Sequence, residues 1–408
     1  MNHLLLIHQA FASLNDTGGT RHFEFAKHLV GCGDRVTVVT SGLNYQTAKP
    51  TSFAGKIARK SGEPYILCAP SWNLPHDGFL GRVIGFITFM VSSIFIALRV
   101  RDVDIVMGTS PPIFQAFSAY VVARLKRKPF LLEIRDLWPD FAVDIGVLRN
   151  SVLIRLARAA ERFLYNHADH LLVNSPAYVA HIAGKGIPER KVSLIPNGVN
   201  PEMYSGNEDA GAIRKRHGLD GKFVITYAGA LGMANDLSTI LRSAARFGGI
   251  RDVVFVFAGA GRERAALEAQ AHEMDLENVV FLGALAKSEI PNLLAASDVC
   301  IATLKNIPMF RMTYPNKVFD YLAAGRPVVI AIDGVIREVV ERGQAGIFAP
   351  PGDDEAIARA IETLRQDPAL RTRMGTNGRA FVSKYFNRRD HAMQFRDLLE
   401  AVRGQRAT

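Results

Sequence analysis

Short runs of apolar residues alternate with longer amphipathic stretches along most of the chain. Near the start, the runs Asn2–His8 and Arg35–Thr40 flank an amphipathic stretch at Thr20–Val30. Short uninterrupted apolar runs between helical stretches are typical of strands that are buried on both faces of a parallel sheet. The pattern therefore predicts an α/β fold. It predicts further strands at 104–109, 130–134, 170–174 and 192–195, and helices at 112–124 and 152–166.

The pattern restarts after Ile195–Pro201, a segment rich in turn residues. We expect two doubly wound Rossmann-like domains, residues 1–200 and 201–385, followed by a C-terminal helix at 386–408 that packs back on the N-terminal domain. Ligands bind at the carboxyl ends of the strands in such sheets, so two facing sheets are expected to enclose one cleft. Strands of the second series are predicted at 223–228, 253–257, 279–282, 299–302, 328–330 and 346–348, and helices at 236–246, 262–272, 288–296, 317–324, 354–366 and 368–383.

The longest apolar run, Val83–Leu98, covers 16 residues between two arginines. A membrane-spanning helix needs about 20 residues, so this run is short for a span. A helix packed on the core, a helix lying in a membrane interface and a true span are all open at this point. Anionic headgroups would be favoured by two nearby basic clusters, which consist of Lys56, Arg59 and Lys60 and of Arg124, Lys126, Arg127 and Lys128.

Composition places the chain among ordered globular proteins. Of its 408 residues, 48% are apolar and 22% are charged, which excludes wholesale disorder. Cys32, Cys68 and Cys300 lie far apart, so we expect a reducing cytoplasm and neither disulfides nor a cysteine-rich zinc site. The first residues run directly into a strand pattern, so no secretion signal is expected.

The positive charge is concentrated in the first half. Residues 1–200 hold 22 Lys and Arg against 14 Asp and Glu, whereas residues 201–408 hold 27 against 25. A basic half indicates an anionic partner, such as a phospholipid surface, a phosphorylated acceptor or a nucleic acid, unless it is simply a solvated face.

In each half of the chain, one glycine-containing loop follows the first strand. Gly18 and Gly19 lie in the first glycine loop, residues 16–20, and Gly229 and Gly232 lie in the second, residues 229–235. Glycines let the backbone approach a phosphate closely, and the following helix N-terminus supplies N–H donors. We therefore predict that these four glycines bind an anionic ligand.

A third candidate is the lysine loop, residues 309–316, which leads into a helix. Asn316 is expected to cap this helix, and Lys317 and Arg311 would then form an anion site with the N–H groups of the first turn. Asp320 shares a helix face with Lys317, and its carboxylate would accept hydrogen bonds from ribose hydroxyls. A surface Lys–Asp pair is the alternative.

The acidic loop, residues 133–140, follows a predicted strand of the first half. Glu133 and Asp136 are candidates for a base or for a carboxylate that orients a hydroxyl, and Arg135 is a candidate for stabilising an anionic leaving group. An ion pair that braces the loop is the alternative. His22 lies near the first glycine loop and is a further candidate site residue.

Other motifs point away from metal and nicotinamide sites. Asp102 and Asp104 resemble a metal-binding pair but lie at the start of a strand, opposite the expected cleft. Gly259-Ala260-Gly261 resembles a dinucleotide fingerprint but lacks the third glycine. We therefore expect no metal site and no nicotinamide cofactor.

With these loops located, six segments of the chain resemble retaining glycosyltransferases of family 4, which have the two-domain GT-B fold. The resemblance is greatest to the L-fucosamine (N-acetylfucosaminyl) transferases of bacterial O-antigen and capsule assembly. The matching segments, in family order, are Leu6–Gln9, Gly18–Arg21, Glu133–Pro139, Leu194–Val199, Tyr227–Gly232 and Pro315–Val328.

The resemblance implies a nucleotide-sugar donor, usually UDP-linked, held mostly by the second domain. Lys317 would face the diphosphate, and Asp320 matches the second acid of the family's paired-glutamate motif, near the ribose. The first acid falls at Met312 and is missing. The family's basic residue in the second glycine loop falls near Met233 and is also missing, which leaves Lys305 or Arg311 to compensate.

In the first domain, the family's catalytic histidine falls near Arg135 and is absent, which shifts attention to Asp136. Arg21 and His22 are assigned to acceptor binding.

The sequence thus predicts metal-independent, cofactor-independent glycosyl transfer with retention. The predicted acceptor is a lipid-linked saccharide, and the enzyme would be cytoplasmic and peripheral at the inner face of the membrane. A UDP-sugar epimerase of the same architecture and a basic nucleic-acid-binding protein are the alternatives.

Overall fold

The computed structural model describes residues 2–43, 50–54, 62–72, 79–206 and 208–404. The chain forms two compact units, one of residues 1–196 with 389–408 and the other of residues 197–388. The basic cluster Lys56, Arg59 and Lys60 lies outside the described residues.

In the described part of the first unit, a seven-stranded parallel sheet has the order β3-β2-β1-β4-β5-β6-β7. The order reverses between β1 and β4, which pair through Leu4–Ile105 and Ile7–Gly108. At such a switch point the loops after neighbouring strands diverge and leave a crevice at their carboxyl ends. The strands are β1 (His3–Ile7), β2 (Arg35–Ser41), β3 (Tyr65–Ala69), β4 (Ile105–Ser110), β5 (Phe130–Ile134), β6 (His170–Val173) and β7 (Val192–Leu194).

Six helices of this unit lie between the strands in the described ranges. The helices are α1 (Arg21–Gly31), α2 (Phe79–Leu98), α3 (Ile113–Lys126), α4 (Asp140–Asp144), α5 (Ser151–His167) and α6 (Pro176–Gly184). The sequence pattern missed β3, α4 and α6. Of these, β3 is a half-buried edge strand and α4 is a single turn.

Helix α2 contains the apolar run and extends it by one turn at its N-terminus. Phe89, Ser93 and Ala97 are buried, whereas Val91 and Phe95 are exposed. Among the described helices, none combines the length and apolarity that crossing a membrane requires. One face of α2 therefore packs on the core, as one of the three interpretations of the apolar run predicts.

The second unit repeats the architecture. Its described residues form a six-stranded parallel sheet of order β10-β9-β8-β11-β12-β13, which reverses between β8 and β11. Every residue of β8, β9, β11 and β12 is buried, as expected for strands covered on both faces. The strands are β8 (Phe223–Ala228), β9 (Val253–Ala258), β10 (Val279–Gly283), β11 (Val299–Thr303), β12 (Val328–Ala331) and β13 (Gly346–Phe348).

The helices of the second unit continue the alternation. They are α7 (Ala210–Arg216), α8 (Leu237–Ala245), α9 (Arg264–Glu273), α10 (Ile290–Ala295), α11 (Asn316–Ala323), α12 (Val335–Arg342), α13 (Asp354–Gln366) and α14 (Pro368–Tyr385). The last helix, α15 (Arg388–Gly404), packs Ala392, Phe395 and Leu399 into the core of the first unit. Arg396 of α15 also forms an ion pair with the buried Asp34 at 2.8 Å.

Candidate active site

Lys317 lies in the first turn of α11, at the carboxyl edge of the second sheet. Its Nζ donates to Tyr227 Oη at 2.6 Å and to Asn235 Oδ1 at 2.9 Å. The ammonium also lies 4.1 Å from the centroid of the Tyr227 ring. Lys317 is therefore held in one position by residues from the end of β8 and from the second glycine loop.

Both hydrogen-bond acceptors of this ammonium are neutral, and among the described residues no carboxylate is paired with it. The Lys317 side chain is half-buried, and its burial lowers the pKa of the amine to about 7. The N–H groups at the start of α11 add partial positive charge nearby. An anion bound here would gain both interactions and would stabilise the protonated lysine.

The second glycine loop is fixed from behind by the loop after β9. Gly229 N donates to Ala258 O, and Leu231 N donates to Ala260 O. A Cβ on Gly259 would lie 1.8 Å from Gly229 O, so this position requires glycine. The glycines that resemble a dinucleotide fingerprint thus serve to pack two loops together.

Two of the predicted glycines have different surroundings. A Cβ on Gly229 would lie 3.0 Å from both Cε and Nζ of Lys317. In the described part of the chain, nothing lies within 4 Å of the position of a Cβ on Gly232. Gly229 therefore makes room for the lysine, and Gly232 leaves its side of the loop open.

Asp320 is not paired with Lys317. Its Oδ1 accepts from Tyr204 Oη at 2.9 Å, and its Oδ2 accepts from Lys287 Nζ at 2.6 Å. The carboxylate and the Lys287 ammonium are both mostly buried, at 14% and 15% exposure. The ribose-binding role of Asp320 stays a prediction, and a ligand hydroxyl would have to share the carboxylate with these two partners.

The remaining predicted residues of the second unit have different surroundings. Asn316 is the first helical residue of α11 and not its cap, because Pro315 occupies the cap position, so the predicted Asn316 cap is wrong. Lys305 is half-buried and its N donates to Ala234 O. Arg311 is exposed.

In the first unit, Glu133 at the end of β5 joins two residues of α1. Its Oε1 accepts from Arg21 Nε at 2.9 Å, and its Oε2 contacts His22 Nε2. Burial opposes ionisation, but His22, Arg21 and Arg135 together hold the pKa of the Glu133 carboxyl well below its usual range. Arg21 also donates to the carbonyls of Ile195 and Pro196.

The side chains of Glu133, Arg21 and His22 are all buried, and that of Glu133 is completely inaccessible to solvent. What the geometry describes is an internal anchor that fixes the start of α1 against β5. A base role for Glu133 and acceptor contacts for Arg21 and His22 stay predictions.

Arg135 is oriented by a histidine that the sequence did not single out. Arg135 Nη1 lies 3.4 Å from His8 Nε2, and His8 Nδ1 lies 2.8 Å from Thr109 Oγ1. Burial, His22 and Arg135 keep the pKa of His8 well below its usual value, so the ring is neutral. With Nε2 accepting from the guanidinium, Nδ1 carries the proton and donates to Thr109.

The structure brings the first glycine loop and the acidic loop together. The Arg135 guanidinium lies 3.9 Å from the position of a Cβ on Gly19, and Gly18 has a φ of 133°, which favours glycine. Both glycines, Arg135 and the exposed Asp136 line one cavity of about 900 Å³.

Several residues that matter here were missed from the sequence. Tyr227, Asn235, Tyr204, Lys287 and His8 contact the predicted residues from distant positions. His8 and Tyr227 lie in segments that carry the family resemblance, and Asn235 lies in the second glycine loop, but nothing in the sequence singles them out there. No sequence signal identifies Tyr204 or Lys287.

The residue pairs set aside from the sequence have structural roles. Asp104 Oδ2 accepts from His3 N at 2.8 Å, and Asp102 O lies 2.9 Å from His3 Nδ1. In the part of the chain that the structure describes, no three His, Cys, Asp or Glu side chains are grouped so as to hold a metal ion.

Two family models match most of the chain. Residues 17–198 match the glycosyl transferase 4-like domain, and residues 209–381 match the glycosyl transferases group 1. Among relatives, the putative colanic acid biosynthesis glycosyl transferase WcaI of Escherichia coli K12 is 26% identical over 76% of this chain and 78% of its own length. A GDP-mannose-dependent alpha-mannosyltransferase of Mycobacterium tuberculosis is 27% identical over 92% and 99%.

Solved structures of similar fold cover nearly the whole chain. Sucrose-phosphate synthase of Thermosynechococcus elongatus superimposes with a TM-score of 0.78 at 18% identity, covering 98% of this chain and 99% of that one. Anabaena HepE in complex with UDP has a TM-score of 0.73 at 20% identity, covering 98% and 100%. These likenesses confirm the predicted α/β fold with two Rossmann-like domains of the GT-B type. The chain therefore consists of a glycosyl transferase 4-like domain followed by a group 1 glycosyltransferase domain, and it belongs with the glycosyltransferases.

Proposed function

We propose that the protein transfers a sugar, with retention, from a UDP-linked donor to a lipid-linked saccharide in the synthesis of a surface polysaccharide. The sugar proposed is an N-acetylated amino-deoxyhexose, and the reaction uses neither a metal nor a cofactor. The observation that carries the donor assignment is Lys317, a half-buried ammonium with two neutral partners at a helix N-terminus.

The same geometry suits the departure of a nucleoside diphosphate. When the bond to the anomeric carbon breaks, negative charge develops on the diphosphate oxygen that leaves. A cation already fixed by Tyr227 and Asn235 would stabilise that charge without first having to reorient. The open side of the second glycine loop at Gly232 leaves space for the donor beside the ammonium.

The first unit would supply the acceptor side. Asp136 is exposed on the wall of the cavity, where it can accept a proton from an acceptor hydroxyl or orient it. Arg135, held by the neutral His8, provides a fixed positive charge beside Gly19. Glu133 acts through Arg21 and His22 as a positioning residue.

The relatives support polysaccharide synthesis but differ in the nucleotide. WcaI is named for colanic acid biosynthesis, and HepE has been crystallised with UDP-glucose. The mycobacterial relative is named as dependent on GDP-mannose. The nucleobase of the donor is therefore the first property to measure.

Isothermal titration with UDP, GDP and ADP tests the proposal. UDP should bind most tightly, and Lys317→Met should weaken binding about 10- to 150-fold, since a hydrogen bond to a charged group contributes about 1.5–3 kcal/mol. Lys222→Met is the matched control, because this half-buried lysine lies beside the opposite end of β8 and donates to Arg251 O. Equal effects of the two variants on UDP binding would refute the proposed donor site. Tighter binding of GDP than of UDP would refute the proposal that the donor is UDP-linked.

Catalysis needs a separate measurement. Proton NMR of UDP-N-acetylglucosamine incubated with and without membrane lipid extract should show donor consumption only with the extract. A product whose anomeric configuration matches the donor supports retention. Conversion to another UDP-sugar without any acceptor would identify an epimerase instead.

A further inference from the structure

One cavity of the first unit is much larger than the space that the reacting hydroxyl of a saccharide would occupy. Its polar end is lined by Gly18, Gly19, Arg135 and Asp136. Its volume of about 900 Å³ lies near the upper end of ligand pockets, which range over about 300–1,000 Å³. Away from the polar end it is lined by α2, α3 and α5 of the first unit. We call this apolar part the helical groove.

The helical groove is walled by large apolar side chains. Representative lining residues are Phe86 and Met90 from α2, Phe117 and Val121 from α3, and Leu156 and Ala160 from α5. The structure describes no carboxylate or amine in these three walls. Such a surface would bind a hydrocarbon chain and would offer little to a polar saccharide.

The groove is open to solvent along α5. Leu156 is 62% exposed and Leu153 is 45% exposed, although both line the cavity. Contiguous apolar surface that is left open in this way marks a binding site, because exposing it to water is unfavourable. An occupant would cover these leucines.

Positive charge lies at the polar end of the groove. Arg135 lines the cavity there, and its guanidinium is held by His8. Arg155, Arg158 and Arg162 lie on the opposite face of α5 and line a separate pocket. An apolar groove that ends at a fixed guanidinium is complementary to an anionic lipid and less so to an uncharged apolar peptide.

We infer that the helical groove binds the hydrocarbon chain of a lipid-phosphate acceptor, with its phosphate and sugar directed to Arg135 and Asp136. This inference rests on the proposed transferase function and adds to it the surface that recognises the lipid. It explains why the polar and apolar parts form one continuous cavity. It also assigns a use to Phe86 and Met90 of α2, which line the cavity.

Direct binding of lipid phosphates tests the inference without any donor. The sequence has two tryptophans, of which Trp138 lines the cavity, so Trp72→Phe leaves Trp138 as a fluorescent reporter. Farnesyl phosphate, below its micelle-forming concentration, should change Trp138 fluorescence saturably. Dimethylallyl phosphate should bind at least about 10-fold more weakly, since each buried methylene adds affinity. Equal binding of farnesyl phosphate, dimethylallyl phosphate and inorganic phosphate, or binding of none, would overturn the inference.

A matched pair of substitutions tests the location. Leu156→Glu places a charge in the groove, and Leu125→Glu places one on α3 outside it, at a leucine that is 63% exposed. Leu156→Glu should weaken farnesyl phosphate about fivefold or more, whereas Leu125→Glu should change it by less than about twofold. Both side chains are exposed, so both variants should fold, which melting curves verify. Equal effects would identify unspecific adsorption to apolar surface and refute the groove.

UDP titration of the same variants separates this inference from the proposed function. Unchanged UDP binding with lost farnesyl phosphate binding supports the groove and leaves the donor site intact. If wild-type protein binds farnesyl phosphate but no nucleotide, the proposed function fails while the groove stands. If it binds UDP but no lipid phosphate, the groove fails and the donor site stands.

Discussion

Lys317 should take up a proton when UDP binds at a pH above 7. In the free protein its amine has a pKa of about 7, and a bound diphosphate would raise this value towards the ordinary 10.5. At about pH 8, roughly nine-tenths of the free amines are neutral, so about 0.9 proton should be taken up per UDP. At about pH 6 the amine is already protonated, and the uptake should fall to about 0.1.

The proton number follows from calorimetry in buffers of different ionisation enthalpy, such as phosphate and Tris. At about pH 8 the phosphates of UDP are already ionised, because their last pKa is near 6. Lys317→Met should abolish the uptake, and Lys222→Met should preserve it. An uptake near zero in the wild type at about pH 8, or the same uptake in Lys317→Met, would refute the reasoning.

The same lysine affects stability with a defined sign. Because its pKa is lower in the folded protein than in the unfolded chain, the unfolded chain binds more protons between about pH 7 and 10.5. The free energy of unfolding of the wild type relative to Lys317→Met should therefore rise with pH across this window. Urea unfolding of both proteins at several pH values measures this difference, and a fall with pH would contradict the assigned pKa.

Three further predictions concern packing. Gly229→Ala should weaken UDP binding severalfold in a titration with little change in melting temperature, because its methyl group would lie 3.0 Å from the Lys317 ammonium; unchanged binding would contradict this. Glu133→Gln should lower the free energy of unfolding in urea by about 3–5 kcal/mol, because it breaks a buried ion pair, and a loss below about 1 kcal/mol would contradict the anchor. Gly375→Ala should lower the free energy of unfolding in urea by about 1–3 kcal/mol, because its Cβ would lie 2.1 Å from Gly325 O. An unchanged free energy of unfolding would contradict this close approach of α14.

The architecture could be predicted from the sequence because parallel strands buried on both faces leave a clear local signal. All six residues of β8 are buried, and the apolar run Phe223–Ala228 marks the strand without reference to distant residues. The half-buried β3 and the single turn of α4 leave no such signal. The predicted N-cap at Asn316 was wrong because an Asn beside a Pro can occupy either the cap or the first helical position, and here Pro315 takes the cap.

The candidate site could be predicted only in part. Lys317 was singled out because a lysine at a predicted helix start has a local physical meaning. Its partners Tyr227 and Asn235 lie 90 and 82 positions away, and only the folded sheet brings them together. Asp320 shows the same limit, because its pairing with Lys287 depends on the loop after β10.

The packing of α15 has a consequence for synthesis of the chain on the ribosome. Phe395 stacks on Phe25 with ring centroids 5.1 Å apart, and Arg396 neutralises Asp34, so the unit that is made first lacks part of its core until the final helix emerges. The unit that is made second has all of its sequence, residues 197–388, before that moment. The usual order, in which N-terminal domains mature first, should therefore be reversed here, and nascent chains stalled before residue 389 should expose the first unit to proteases.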